Sequence, residues 1–133
     1  MTPLFTDRDL GKRLAGILRA LGVPATAHVE RYTAGDAESI PDTRWIKDCA
    51  ARGEVIVTRD SRQHRRLSAE LRAIIGAGAR AFVLETGNAS VLEYLRALLI
   101  AWPRIQRIVD AEEGPWVYGV SSEGRLTRRH PPP

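Results

Sequence analysis

The stretch "VIVTRDSR", Val55–Arg62, runs three β-branched apolar residues into Thr58, Arg59 and the carboxylate Asp60, then into more arginine. With Glu54 ahead of it, "EVIVT" is the best strand pattern in the chain: an unbroken apolar run, as a strand covered on both faces requires. Strands of that kind belong to parallel sheets, whose crossovers put helices on both faces. The carboxylate after this strand has two readings. Asp60 can open an Asx turn with the arginines neutralising it, or it can hold a metal ion while the arginines hold the anionic substrate the metal acts upon.

On either side of this strand the apolar pattern alternates between strand and helix periods. "PLF" is a short strand, and Leu10, Leu14, Ile17, Leu18 and Leu21 then recur at helical spacing up to Gly22, with Pro24 just beyond. "ATAHVE" alternates weakly and predicts a second strand, and "RYTAGDAESIP" is loop by composition. Asp42 then opens a helix with Trp45, Ile46, Cys49 and Ala50 on one face, stopped by Gly53. Beyond the arginines, Leu67, Leu71, Ile74 and Ile75 mark a helix closed by "GAG", and "RAFVLE" is a fourth strand. Val91 to Val109 is a long helical pattern that Pro103 is expected to kink or split. "PWVYGVSSEGRLTRR" reads as two strands around a Ser-Glu-Gly turn, with a disordered "HPPP" tail.

This order implies an α/β protein: a single-domain three-layer α/β/α sandwich with a mainly parallel central sheet and a C-terminal β-hairpin. The domain is expected over residues 1–128, with residues 129–133 a basic, proline-rich disordered tail. At 133 residues one core forms without disulfides, and Cys49, the only cysteine, has no partner for one. The N-terminus reaches Asp7 before any long apolar run, and no apolar stretch approaches a membrane span. A soluble, cytoplasmic protein is expected. All but two of the 20 basic residues, Lys12 and Lys47, are arginine, whose planar fork grips phosphate in two places. Four of these, Arg59, Arg62, Arg65 and Arg66, fall close together after the third strand.

In an open α/β sheet the functional crevice lies outside the carboxyl ends of the strands. Asp7 follows the first strand, Asp60 the third, and Asp42 opens the helix that leads into the third. Three carboxylates from distant segments can meet there, and Mg²⁺ or Mn²⁺ takes oxygen ligands of this kind. Each acid also has a plainer role. Asp42 after Pro41 can cap its helix, Asp7 or Asp9 can cap the first one, and Asp60 can start a turn.

Taken together, "FTDRDLGKRLAGILRALG", "PDTRWIKDCAARGEVIVTRDSR", "RAFVLETGN" and "AWPRI…GPWVYGVSSEGRL" resemble the PIN-like domains of VapC45-type toxins. The resemblance covers nearly the whole chain, and "VTRD" after a strand is its most specific piece. It implies an Mg²⁺- or Mn²⁺-dependent endoribonuclease, the toxin of a type II toxin-antitoxin pair, with RNA as substrate, a cognate antitoxin as partner and a homodimer as a further option. By position it puts Asp7, Asp42 and Asp60 in the metal site. Many such domains carry a fourth acid shortly after the third, where this chain has Ser61, Arg62 and Gln63. Arg8, Lys12, Arg13, Arg59, Arg62, Arg65 and Arg66 are the candidate phosphate contacts. A non-catalytic nucleic-acid or protein binding module, or a DNA-directed nuclease, fits the same fold.

Other residues read more plainly. His28, His64 and His130 share no metal-site spacing; Trp45, Trp102 and Trp116 read as apolar anchors, and Cys49 as a small buried hydrophobe. Glu30, at the end of the expected second strand, is a reserve candidate for the metal site.

Overall fold

A computed structural model of the chain describes residues 1–33, 39–59 and 69–132. Its sheet has the order β2-β1-β3-β4-β5-β6, with β1 Leu4–Thr6, β2 Ala25–Ala27, β3 Val55–Arg59, β4 Arg80–Leu84, β5 Trp116–Val120 and β6 Leu126–His130. The first five strands are mutually parallel; β6 returns antiparallel to β5 as the expected hairpin. The helices are α1 Arg13–Ala20, α2 His28–Arg31, α3 Asp42–Arg52, α4 Ala69–Gly76 and α5 Val91–Ala111.

Period-two alternation divides the core in two. Leu4, Val55, Val57, Phe82 and Leu84 pack under Leu14 and Leu18 of α1 and Leu98 and Ile105 of α5. Phe5, Ile56, Ala81, Val83 and Val117 pack under Trp45, Ile46 and Cys49 of α3 and Ile74 of α4. The α/β fold with helices on both faces is therefore the observed one. β3 sits between β1 and β4, its first four residues all buried, which is why its sequence is apolar without alternation. Gly53, at φ 69, takes the left-handed conformation that ends α3 one residue before Glu54 and the strand.

Four local expectations change. "ATAHVE" stays extended only to Ala27, because β2 is an edge strand that pairs with β1 over three residues. Glu30 then reaches back to accept the Ala27 N–H at 2.9 Å, and the chain turns into α2. The first helical segment begins with a 3-10 turn at Arg8–Leu10, and α1 buries Leu14 and Leu18 while Ile17 and Leu21 stay exposed. α5 runs through Pro103 as one helix. Pro103 and Leu99, four residues before it, both face solvent, where water can take the carbonyl that proline leaves without a donor. At the C-terminus β6 takes in Arg129 and His130, two residues that sequence alone assigns to the tail. Among the described residues no helix is long and apolar enough to cross a membrane.

Candidate active site

The carboxyl ends of β1 and β3 are joined where Asp7 donates its backbone N–H to the Val57 carbonyl at 2.9 Å. That bond sets Asp7 beside Thr58. By the alternation of the two strands, Asp7 and Thr58 share the face covered by α3 and α4, while Arg59 leaves the sheet on the other. Both Asp7 and Thr58 are buried, unusual for a carboxylate unless it has partners.

Thr58 Oγ1 lies 2.6 Å from Asp7 Oδ2 and 3.1 Å from Glu70 Oε1. A hydroxyl has one hydrogen to donate. That hydrogen lies on the shorter contact, to Asp7, and reaches Glu70 only across the longer one, while Glu70 also shares a hydrogen bond with Asp7. The electrostatics agree. Burial, then the negative charges of Asp7 and Asp42, push Glu70 up to about 8. Burial also raises Asp7, against the Thr58 hydrogen bond that lowers it, with Asp9 and Asp42 adding to the rise. Two carboxyls sharing one hydroxyl and largely withdrawn from water thus bind a proton more tightly than free carboxyls do.

Asp42 is the first residue of α3, and Pro41 rather than Asp42 holds the N-cap position. Its carboxylate therefore does not cap the helix. Asp42 Oδ1 instead accepts the indole N–H of Trp45 at 3.0 Å, while the charge of Asp42 reaches both Asp7 and Glu70. Asp7 likewise forms no side-chain cap on the turn that follows it. Beneath the acids, His28 is buried with its ring against Phe5, Tyr32 and Trp45, and burial lowers its imidazole below the ordinary value.

Residues 3–86, more than half of the chain, match the family described as "PIN like domain". The chain belongs to the PIN-like domain family. A protein of Mycobacterium tuberculosis named "Putative ribonuclease VapC45" is similar, 28% identical over 118 residues that cover 88% of this chain and 84% of that protein. No solved structure matches the chain.

Within this PIN-like domain the sequence-derived site residues fall into four groups. Asp7 and Asp42 lie within each other's electrostatic reach, while Arg59, a candidate phosphate contact, leaves the sheet on the opposite face from them; Asp60, Arg62, Arg65 and Arg66 lie outside the described residues. Arg8, Lys12 and Arg13 are exposed on the turn and helix start that follow Asp7. Among the described residues no group of three His, Cys, Asp or Glu side chains is gathered to hold a metal ion. The donors that do meet, Asp7 and Glu70 about Thr58, are all oxygen, and a raised proton affinity marks a place where a hard cation can replace a proton.

Glu30, the reserve candidate, is elsewhere: Arg19 holds both its oxygens, at 2.8 and 2.7 Å. Glu85, just past the end of β4, is likewise held by Arg129 at 2.9 and 2.7 Å. Glu70 is the residue that sequence reasoning missed. An acid in the first turn of a helix is what the helix dipole favours anyway, so its charge draws no notice. Its phase does carry a signal, since Glu70 precedes the fully buried Ile74 by four residues and shares its inward face.

Proposed function

We propose that the chain is a divalent-metal-dependent endoribonuclease, the toxin of a toxin-antitoxin pair, with Asp7, Asp42 and Asp60 as metal ligands and Glu70 as the fourth carboxyl. The pairing of Asp7 and Glu70 about the Thr58 hydroxyl carries this reading. Membership of the PIN-like family and the similarity to a protein named as a ribonuclease support it. Bound Mg²⁺ or Mn²⁺ supplies an activated water and charge stabilisation for the phosphodiester transition state.

The chain's own groups do the rest. Thr58 fixes the rotamer of Asp7 by donating to one of its oxygens, so the other is presented to the crevice. Glu70 carries a proton in the metal-free site; as a carboxylate it would, with Asp7, hold a cation whose charge would offset the repulsion among the acids. Arg8, Lys12 and Arg13 stand where Asp7 leaves the sheet and orient the phosphates of a single RNA strand. A cognate antitoxin would hold the enzyme silent by covering this crevice.

The test uses the purified chain, a labelled RNA and Mn²⁺ or Mg²⁺. Asp7→Asn and Asp60→Asn abolish metal-dependent cleavage and growth inhibition while leaving the melting transition cooperative. An Asp60→Asn protein that cuts RNA as fast as wild type removes the proposed site. A wild-type protein that binds RNA but neither binds Mn²⁺ nor cleaves is a binding module instead.

A further inference from the structure

We infer that Trp45 is a positioning residue for Asp42: its indole N–H fixes one oxygen of an exposed carboxylate and leaves the other to the crevice of Asp7 and Glu70. The inference rests on the metal-site reading of Asp42. Its basis is the difference in freedom between the two partners. Trp45 is 1% exposed, stacked on Phe5 at 5.5 Å and 26°, with the His28 ring edge-on at 5.9 Å and 88°. Asp42 is exposed at the start of its helix and makes no capping bond there. The buried ring therefore sets the direction of the bond, and the surface carboxylate follows.

A buried indole needs an acceptor for its N–H, so the contact could serve Trp45 alone. Trp116 shows how the chain meets that need elsewhere: its indole donates to the Glu112 backbone carbonyl at 3.0 Å, with no carboxylate tied up. At Trp45 the acceptor is a charged group that water would otherwise solvate, and the bond restricts its rotamers. Phe5 gives the arrangement its register. It lies two residues before Asp7 in the alternation of β1, and Phe5, Trp45 and Asp42 follow one another in contact from strand to helix. Spacing also favours the bond, since Asp42 and Trp45 are three residues apart and therefore neighbours on the helix surface.

The experiment measures Mn²⁺ affinity and steady-state RNA cleavage for wild type, Trp45→Phe, Asp42→Ala and the double variant. Phenylalanine keeps the stack on Phe5 and His28 and removes only the donor. Trp45→Phe is expected to weaken Mn²⁺ binding by about ten-fold, the low end for a group that orients a metal ligand. It lowers kcat at limiting Mn²⁺, leaves KM for RNA unchanged, and is rescued by excess Mn²⁺. In the Asp42→Ala background the same change has no further effect on affinity. Wild-type Mn²⁺ affinity in Trp45→Phe, or an equal loss in both backgrounds, overturns the inference while the metal-site reading stands. Undiminished Mn²⁺ binding by Asp42→Ala overturns that reading of Asp42 and the inference with it. Should Trp45→Phe not fold, the indole N–H resonances of the otherwise intact protein decide. Among Trp45, Trp102 and Trp116, only that of Trp45 is expected to shift and to exchange faster with solvent in Asp42→Ala, and an unmoved Trp45 signal overturns the inference.

Discussion

The hydroxyl of Thr58, next to last in β3, donates to the carboxylate of Asp7 at the end of β1 across 2.6 Å, both groups buried. The bond spans 51 residues of sequence and fastens two parallel strands at the end where the crevice opens. Thr58→Val keeps the shape and removes the donor, leaving a buried carboxylate one partner short. The expected cost is about 1–3 kcal/mol in urea unfolding of the metal-free protein. Saturating Mn²⁺ recovers much of it by giving Asp7 another partner. A valine variant as stable as wild type without metal shows that Asp7 does not depend on Thr58.

The raised Glu70 makes metal-free stability depend on pH in a definite direction. Its ordinary value is 4.5 and its folded value about 8. Between these the folded protein holds a proton that the unfolded chain has released. The contribution of this group to stability is full below about pH 4.5 and declines as pH rises towards about 8, by on the order of 5 kcal/mol, with Asp7 acting in the same direction. Glu70→Gln carries no titrating proton and should lose most of this slope, melting higher than wild type at pH 8. The stabilisation given by Mn²⁺ has the opposite trend and grows with pH, because the cation competes with that proton. Melting curves at several pH values, with and without metal, read both trends; a metal-free wild type with a flat profile from pH 5 to 8 refutes the first.

The sheet and the helical layers were legible because their signals are local. β3 announces itself by four successive apolar or β-branched residues, and α3 by Trp45, Ile46 and Cys49 on one face with Gly53 behind them. Asp7 was legible because a strand end marks the crevice. Glu70 was not, because its role depends on α4 packing beside α3 over β4 and β5, so that Glu70 meets Thr58 of β3, which no local pattern shows. The same limit explains α2: "HVE" suits a strand as well as a turn of helix, and the choice falls to a pairing partner, β1, that supplies only three residues. Asp42 reads as a cap from its place after Pro41; only the geometry of the Trp45 indole gives its carboxylate another partner.

A buried ionic contact lies beside the Phe5 ring beneath the site. Arg31 of α2 meets both oxygens of Glu54, just before β3, at 2.7 and 2.5 Å, and its guanidinium stands 4.6 Å over the Phe5 ring. Both side chains are largely buried, 12% and 7% exposed, so removing one partner strands the other charge away from water. Glu54→Ala is expected to lower unfolding free energy by about 3–5 kcal/mol. The Arg19–Glu30 pair, 43% and 31% exposed, should cost less than about 1 kcal/mol when broken by Arg19→Ala. Denaturant titration of the two variants orders them, and equal losses contradict the argument from burial.

The phosphate-orienting role given to the first helical turn has its own signature in salt. Lys12 and Arg13 are exposed at the start of α1, where the chain has just left the crevice. Each single-strand phosphate contact adds roughly 0.7 to the slope of log affinity against log salt. Lys12→Ala together with Arg13→Ala should therefore flatten the slope for a single-stranded RNA by about 1.4 and weaken binding similarly for all sequences. Arg107 provides the control. It is exposed in the last turns of α5, beside Gln106 and Asp110, which line a cavity with Met1 and Thr2 at the amino end of β1. That is the opposite end of the sheet from Asp7, so Arg107→Ala should leave the slope unchanged. Equal flattening by the double variant and by Arg107→Ala would mean that RNA is held by overall charge rather than at the crevice; an unchanged slope in the double variant would remove Lys12 and Arg13 from the interface.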